Sequence, residues 1–153
     1  TKQFYGDVFV TEEDVVSRKI YDDSCVLATW SIDLHYPREQ YAKKFKDNPF
    51  ISKAVHGRGV DRKKGYAFPY RSFYSKDFDN LFIACRALSV THEALGTIRV
   101  MNTLGMAGVA VGRACHVAVK HNTTTRGVYE KYLDEAKELW RLSGKERREL
   151  PRK

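Results

Sequence analysis

The strongest structural signal in the sequence is a proline-free stretch, residues 98–120. Its sequence, IRVMNTLGMAGVAVGRACHVAVK, is apolar enough for a buried helix. Three glycines and a cysteine recur at spacings of three and four and therefore lie along one helical face. These residues are Gly105, Gly108, Gly112 and Cys115. Each interior glycine costs about 1 kcal/mol relative to alanine, so we expect the helix backbone to approach a sheet or a ligand closely along this face.

The segment before this helix predicts a binding site. Residues 81–84, LFIA, are apolar on both faces, which indicates a buried strand covered on two sides. Small and polar residues follow: Ser89, Thr91, His92, Glu93, Gly96, Thr97 and Arg99. In open α/β sheets ligands bind beyond the carboxyl ends of strands, and a helix N-terminus presents free N–H groups and a positive dipole end. The loop therefore predicts a site for an anionic or carbonyl-rich ligand.

The N-terminal part of the chain predicts one helix and one strand. Thr11 precedes three acidic residues, which is typical of a capped helix and predicts one from residue 12 to about residue 19. Residues 25–35 partly alternate apolar and polar positions and predict a strand. Near its end, Asp33 and His35 are two residues apart and so lie on one face.

The remaining elements are shorter or lie at the C-terminus. Pro37 can open a short helix that runs through residue 45. Glycines and cations in residues 53–65 favour a loop or an exposed hairpin, followed by a short strand at residues 66–69. Residues 127–142 have the apolar spacing of an amphipathic helix that Thr124 or Thr125 can cap.

Composition excludes several classes of protein. At 153 residues, with 42% hydrophobic residues, the chain is long and apolar enough for one packed domain and is not of the disordered class. The three cysteines lack metal-ligand spacing, so we expect neither a disulfide framework nor a metal site, and we expect buried thiols. The sequence has no uninterrupted apolar run of about 18 residues, so it predicts no transmembrane helix.

The net charge of +8 is concentrated in one segment. Residues 38–76 contain eleven Lys and Arg against three acidic residues, and 11 minus 3 equals the whole excess. Such a segment can attract an anionic partner, or it can be a solvated loop. No aromatic RNA-reading motif, zinc finger or helix-turn-helix pattern accompanies the charge, so nucleic acid is not an expected partner.

Several motifs in order carry a resemblance to a known family. The run FPYRSFYSKDFDNLFIACRALSVTHEALGTIRVMNTLGMAGVAVGRACHVAVK resembles the C-terminal signature of a family of FAD-dependent oxidoreductases, with its PYRS, DNLxxAxR, SxTHEAxG and RVMxT segments. The upstream segments GDVFVTEEDV and SIDLH resemble the substrate-side portion of that family. The resemblance covers about residues 5–132.

The resemblance implies an α/β fold, or α+β for a fragment. It implies the C-terminal part of a Rossmann-like FAD-binding domain together with part of a substrate domain. The boundaries would be 1–78 for the substrate-side part, 79–122 for the strand, flavin-edge loop and glycine-rich helix, and 123–153 for the C-terminal helix and basic tail. The GxGxxG turn that holds the ADP half of FAD is missing from the sequence, so we expect a C-terminal portion of a longer enzyme.

The resemblance also implies roles for individual residues. The flavin would be contacted by Cys85, Arg86, Ser89, Thr91, Arg99, Val100 and Met101. Proton transfer would fall to His92 or Glu93, and the substrate side would carry Asp33, His35, Tyr70 and Arg71. No metal ligand is implied.

Other roles for these residues remain open at this point. Arg71 can pair with a carboxylate, Asp33 and His35 can form a structural hydrogen bond, and Tyr70 can belong to the core. Cys85 stands where the family usually has glycine. Its backbone either keeps a negative φ with the thiol in the core, or FAD binding is weakened.

Two functions are compatible with these observations. The resemblance implies that the intact protein transfers a hydride between a small organic substrate and FAD, with the N-terminal FAD-binding portion of the same enzyme as partner and with the isolated chain inactive. The alternative is a noncatalytic module that binds an anionic partner through residues 38–76.

Overall fold

The computed structural model describes residues 3–38, 51–57 and 61–142. The structure combines helices with small antiparallel sheets, which confirms the mixed α/β class. The elements are α1 (Glu12–Val16), β1 (Ser24–Ala28), β2 (Asp33–Arg38), β3 (Ile51–His56), β4 (Tyr66–Pro69), a 3₁₀ turn (Tyr70–Ser72), α2 (His92–Ile98), α3 (Met101–Lys120) and α4 (Thr125–Arg141).

Both predicted helix caps are confirmed. The hydroxyl of Thr11 accepts a hydrogen bond from the Asp14 backbone N–H at 3.2 Å, and Asp14 Oδ2 accepts one from the Thr11 N–H at 2.9 Å. This reciprocal capping box fixes the start of α1. At the other end of the chain, the hydroxyl of Thr124 accepts from the Gly127 N–H at 2.9 Å and caps α4.

The single strand predicted at residues 25–35 is wrong, because the chain breaks there into β1 and β2. β1 pairs antiparallel with β4, and β2 pairs antiparallel with β3 in a separate sheet. Between them Ile32 is fully buried, while Thr29 and Trp30 remain exposed. Burying Ile32 turns the chain away from the first sheet, and its carbonyl then accepts the Gly57 N–H at 2.7 Å.

The prediction of a helix that begins at Pro37 is also wrong at its start, because Pro37 lies in β2 opposite Ser52. A two-stranded sheet leaves an edge on which a missing N–H is tolerated. The rest of that predicted helix lies outside the described residues. Residues 53–65 were expected as a loop or an exposed hairpin. Residues 53–56 instead belong to β3, which pairs with β2, and residues 58–60 lie outside the described residues. The short strand at residues 66–69 is confirmed as β4.

Residues 81–84 do not form the predicted buried strand. They make a single antiparallel bridge, between Phe82 and Tyr74. Its two flanking hydrogen bonds run from the Ser75 N–H to the Leu81 carbonyl at 3.0 Å and from the Ile83 N–H to the Phe73 carbonyl at 2.7 Å. Only Ile83 of the four is buried. Pairing limited to one bridge on one side leaves this segment extended but outside a sheet.

The glycine face of α3 is open to solvent within the described part of the chain. A Cβ added at Gly105, Gly108 or Gly112 would meet nothing within 4 Å. The buried side of α3 is instead its alanine side, with Ala107, Ala110 and Ala114 among the buried residues. The expected close approach along the glycine face is therefore not found among these residues.

Two clusters of buried side chains hold the fold together. The larger cluster joins both sheets to α1, α2 and α3, and Phe68, Phe73 and Leu88 are fully buried in it. The smaller cluster places α4 against α3 and the 3₁₀ turn. Trp140 links the two, since its indole N–H donates to the Ala110 carbonyl at 3.0 Å. The apolar face predicted for α4 thus packs on the domain.

Among the described helices, no single one has the length and hydropathy needed to cross a membrane. Helices α2 and α3 meet those criteria only when counted together, with a 90° bend between them.

Asp7 ties the N-terminal segment to α4 and to the core. Its carboxylate accepts two hydrogen bonds from Arg126, at 2.6 and 2.7 Å, and one from the Tyr74 hydroxyl at 2.6 Å. The hydrogen bonds from Arg126 hold the pKa of Asp7 below its ordinary value, despite the opposing effect of burial. A carboxylate with a lowered folded-state pKa stabilises the fold above its unfolded-state pKa, and this contribution is lost as the pH falls through the folded-state value.

We expect Asp7→Asn to lower the free energy of unfolding by about 1 kcal/mol at neutral pH and to have little effect near about pH 2. Urea unfolding at both pH values measures the difference. Asp134→Asn is the matched control, because the Asp134 side chain is fully exposed. An equal loss at both pH values would contradict a contribution from the charge of Asp7.

Candidate functional site

The segment expected as a flavin-edge loop is largely helical. Thr91 caps α2, and its hydroxyl accepts from the Ala94 N–H at 3.2 Å. Just before it, the Thr91 N–H donates to the Val10 carbonyl at 2.8 Å, beside a parallel bridge between Val10 and Val90. The sequence missed α2 because it has only seven residues, and a capping threonine was the one signal for it.

Gly96 brings α2 into direct contact with the start of β2. A Cβ at Gly96 would lie 2.9 Å from the backbone N and 3.0 Å from the carbonyl oxygen of Asp33. Only glycine permits this approach of backbone to backbone. The contact places the first residues of β2 next to the end of α2, where the chain turns into α3.

The N-terminus of α3 has no side-chain cap. Val100 occupies the cap position with an extended backbone (φ −70°, ψ 142°), and no side chain accepts from the first N–H groups of the helix. Met101 and Asn102, the first two helical residues, are exposed. The first turn of a 20-residue helix therefore presents uncapped backbone donors and the positive end of its dipole.

Asp33 collects three charged or titratable side chains beside this turn. Its Oδ1 lies 3.3 Å from Nε2 of His35 and 3.9 Å from Nδ1 of His56, and its Oδ2 lies 3.4 Å from Nη2 of Arg99. The same Arg99 nitrogen donates to the Asp33 carbonyl at 2.9 Å. We refer to Asp33, His35, His56 and Arg99 as the Asp33 cluster.

The cluster joins residues that the sequence assigned to different sides of a site. Asp33 and His35 were expected on the substrate side, and Arg99 beside the cofactor. Because Arg99 directly precedes the Val100 cap, its ion pair with Asp33 draws the two sets together. His56 was missed by the sequence reasoning. The signal for it exists only in the register of the hairpin, where His56 stands directly opposite Asp33.

The other expected cofactor residues have mixed environments. Cys85 and Arg86 are exposed, as is His92, while Glu93 is half-buried. The His92 ring lies 6.0 Å from that of Tyr36. Ser89 is fully buried, and among the described residues its hydroxyl has no hydrogen-bond partner.

The backbone and exposure of Cys85 bear on whether it can replace the glycine usual at this position. Its φ is not positive, so the backbone does not need glycine there. The thiol is exposed rather than buried in the core, and Cys115 is exposed as well. The expectation of three buried thiols is therefore wrong for two of them. Burial does raise the pKa of the third, Cys25, well above its ordinary value.

Tyr70 and Arg71 make structural contacts. Tyr70 is fully buried, and its hydroxyl donates to the Thr125 carbonyl at 2.7 Å. Arg71 donates from its backbone N–H and its Nε to Asp23 Oδ2, each at 2.9 Å. The hydrogen bonds to Asp23 raise the pKa of Arg71. These are the core and ion-pair roles that the sequence had left open for the two residues.

The described cavities lie away from the Asp33 cluster. One groove of about 340 Å³ runs between α3 and the end of α4, and another of about 480 Å³ lies beside β1. Cys25 lines both, and a third of about 230 Å³ lies near Phe82 and Cys115. None of the residues expected at the site lines these three cavities.

Much of the basic segment, including residues 39–50, lies outside the described residues. Among the described residues, three of its cations have partners. Lys76 lies over the Tyr5 ring, with Nζ 5.6 Å from the ring centroid. Arg62 stacks on Trp30 with its guanidinium carbon 4.8 Å from the ring centroid, and it donates to the Thr29 carbonyl at 3.1 Å. Arg71 is paired with Asp23. The anionic partner expected for this segment stays a prediction.

Comparisons with known proteins point to one family. A model of the family described as FAD dependent oxidoreductase matches residues 1–139. No curated protein and no solved structure gives a significant match.

Proposed function

Because the chain belongs to the FAD dependent oxidoreductase family, we propose that it forms the isoalloxazine side of the flavin site in an enzyme that transfers a hydride between a small organic substrate and FAD. The observation that carries the proposal is the uncapped N-terminus of α3 beside the Asp33 cluster.

The chain's own groups suit the pyrimidine edge of a flavin. Bound FAD supplies the hydride acceptor, and reduction places negative charge along that edge. Backbone N–H groups of Met101 and its neighbours, together with the positive end of the α3 dipole, stabilise such charge without having to reorganise. In this proposal Arg99 and Val100 hold the turn in place, and Cys85 and Arg86 reach toward the ribityl chain.

The ADP half of the cofactor requires groups that the sequence does not show. We propose that the remainder of the same enzyme supplies them and that this remainder covers the exposed glycine face of α3. Two features support this proposal, namely the missing GxGxxG turn and the open space around Gly105, Gly108 and Gly112. The isolated chain is then inactive.

The assignment of proton transfer to His92 or Glu93 stays a prediction. His92 is exposed at the first position of α2, and Glu93 follows it with partial burial. Either side chain is accessible to a proton donor or acceptor, which is the first requirement for general acid–base catalysis.

A proline substitution tests the role of the α3 N-terminus. Met101 is the first helical residue, where proline is tolerated because its missing N–H has no intrahelical partner. The extended backbone of Val100 is also what a residue before proline requires. Met101→Pro therefore removes one N–H and keeps the helix. We expect flavin affinity to fall about tenfold, the equivalent of one charge-assisted hydrogen bond.

The measurement is a titration of the deflavinated enzyme with FAD, followed by flavin fluorescence. Met101→Ala, which keeps the N–H, is the control and should bind FAD with little change. Thermal unfolding of both variants checks that α3 is intact. Equal affinities for the two variants would contradict the role of this N–H. A colourless full-length protein that binds polyanions in a salt-dependent way would support the noncatalytic alternative instead.

A further inference from the structure

The Asp33 carboxylate holds a buried acceptor atom between two imidazole rings. Among the described residues, Oδ1 of Asp33 is buried and makes no hydrogen bond of acceptable geometry. The ring nitrogens of His35 and His56 nevertheless lie 3.3 and 3.9 Å away. A buried acceptor without a partner is uncommon in native proteins and calls for an explanation.

A neighbouring imidazole can supply the missing donor. A neutral imidazole carries an N–H on one of its two ring nitrogens, and a small movement of the ring would let that N–H donate to Oδ1. An N–H held on the nitrogen that faces the carboxylate leaves the other ring nitrogen as an acceptor, and the same carboxylate stabilises the imidazolium formed during general-base catalysis.

Between the two rings, His56 is better placed to act on a substrate. The Ser31 hydroxyl lies 3.3 Å from His56 Nδ1, the nitrogen that also faces Asp33. Its Nε2 is therefore on the opposite edge of the ring, and 59% of the side chain is exposed. His35 instead turns its Nε2 toward Asp33.

Other groups in contact with the cluster fix its position. On the α2 side, Arg99 holds both the carboxylate and the carbonyl of Asp33. His92 of α2 lies against Tyr36 of β2, and Lys53 of β3 pairs with Tyr36 across the hairpin. Only 15% of the Asp33 side chain is exposed, so its role is to position other groups rather than to touch a substrate.

We propose that His56, rather than His92 or Glu93, is the general base of the hydride-transfer reaction, with Asp33 as its positioning residue and with a substrate whose reacting carbon bears a hydroxyl or amino group. This inference rests on the proposed flavin chemistry. The substrate C–H bond breaks and its electron pair leaves as hydride for the flavin, while the O–H or N–H proton moves to Nε2 of His56. A carbon–oxygen or carbon–nitrogen double bond forms, so the substrate is oxidised and the flavin is reduced.

One test needs no flavin and uses the reactivity of the imidazole itself. Diethyl pyrocarbonate acylates accessible, unprotonated imidazole nitrogens, and peptide mass spectrometry gives a rate for each histidine. We expect His56 to react several-fold faster than His116, an exposed histidine of α3. Asp33→Asn should reduce the rate at His56 to that of His116 and leave His116 unchanged. Equal rates for the two histidines in the unaltered protein would overturn the proposal.

The second test uses the FAD-loaded enzyme. Simple secondary alcohols and primary amines serve as probes, and the rate of flavin bleaching is followed in single turnover. His56→Gln should retain flavin and slow bleaching roughly 100-fold or more, the contribution typical of a general base. His116→Gln is the matched control and should react at the unaltered rate. Bound flavin that is reduced equally fast in His56→Gln would overturn the role of His56, whereas a protein that never binds flavin would overturn the proposed function itself.

Discussion

Replacing Asp23 with alanine is expected to lower the free energy of unfolding by about 3–5 kcal/mol. Asp23 is fully buried, and its carboxylate accepts three hydrogen bonds from Arg71, one from the backbone and two from the guanidinium. Removing the carboxylate leaves the backbone N–H and the Nε of Arg71 without their acceptor, and the mostly buried guanidinium keeps only the exposed Asp22 as a carboxylate partner. Breaking one partner of a buried pair costs more than the pair contributes, because the remaining charge is desolvated and loses most of its compensation.

The neighbouring residue provides a matched control for this effect. Asp22 contacts the same guanidinium at 2.8 Å, but 55% of its side chain is exposed. We expect Asp22→Ala to cost less than about 1 kcal/mol, as exposed ion pairs usually do. Urea unfolding followed by circular dichroism measures both variants. Similar losses for Asp22→Ala and Asp23→Ala would show that burial does not govern the strength of this ion pair.

Substituting alanine for glycine in α2 and in α3 is expected to change stability in opposite directions. At Gly96 the new Cβ would overlap the Asp33 backbone, and neither backbone can move without separating α2 from β2. We expect a loss of about 1–3 kcal/mol, typical of overpacking. At Gly105 the new Cβ meets nothing within 4 Å. There the better helix propensity of alanine should stabilise the chain by about 1 kcal/mol.

The same two variants also report on the candidate site. Because Gly96 sets the distance between α2 and β2, Gly96→Ala should weaken the contact between Arg99 and Asp33, which backbone NMR shifts around Arg99 would detect. Gly105→Ala should leave those shifts unchanged. If Gly96→Ala were as stable as the unaltered chain, the close approach of α2 and β2 would not exist in solution.

In the full-length enzyme, the direction of the stability change caused by Gly105→Ala provides a further comparison. If the remainder of the enzyme covers the glycine face of α3, as we propose, a Cβ there would meet a packed surface. Gly105→Ala would then destabilise the intact enzyme while stabilising the isolated chain. Thermal unfolding of both forms checks this difference.

Local signals in the sequence predicted α1, α3 and α4 but missed α2. The capping residues Thr11 and Thr124 mark helix starts in the structure. The proline-free run became α3, although it starts at Met101 rather than residue 98. The resemblance to the family is confirmed by the match over residues 1–139.

Structural features that depend on residues distant in the chain were predicted less well. The apolar run at residues 81–84 has the composition of a central strand, but only one bridge forms along it in the described structure. Residues 25–35 alternate like one strand, yet the burial of Ile32 divides them between two sheets. The residues within each segment do not determine which strand will pair with it.

The α/β class, the caps and the amphipathic face of α4 were predictable because they follow from spacing over a few residues, and the flavoenzyme family was predictable from likeness along the sequence. Three contacts could be seen only in the folded chain: His56 stands opposite Asp33, Arg99 pairs with that carboxylate, and Gly96 holds β2 against α2. Residues far apart in the chain meet there through strand register and close backbone packing, which are set by contacts among whole elements rather than by neighbouring residues.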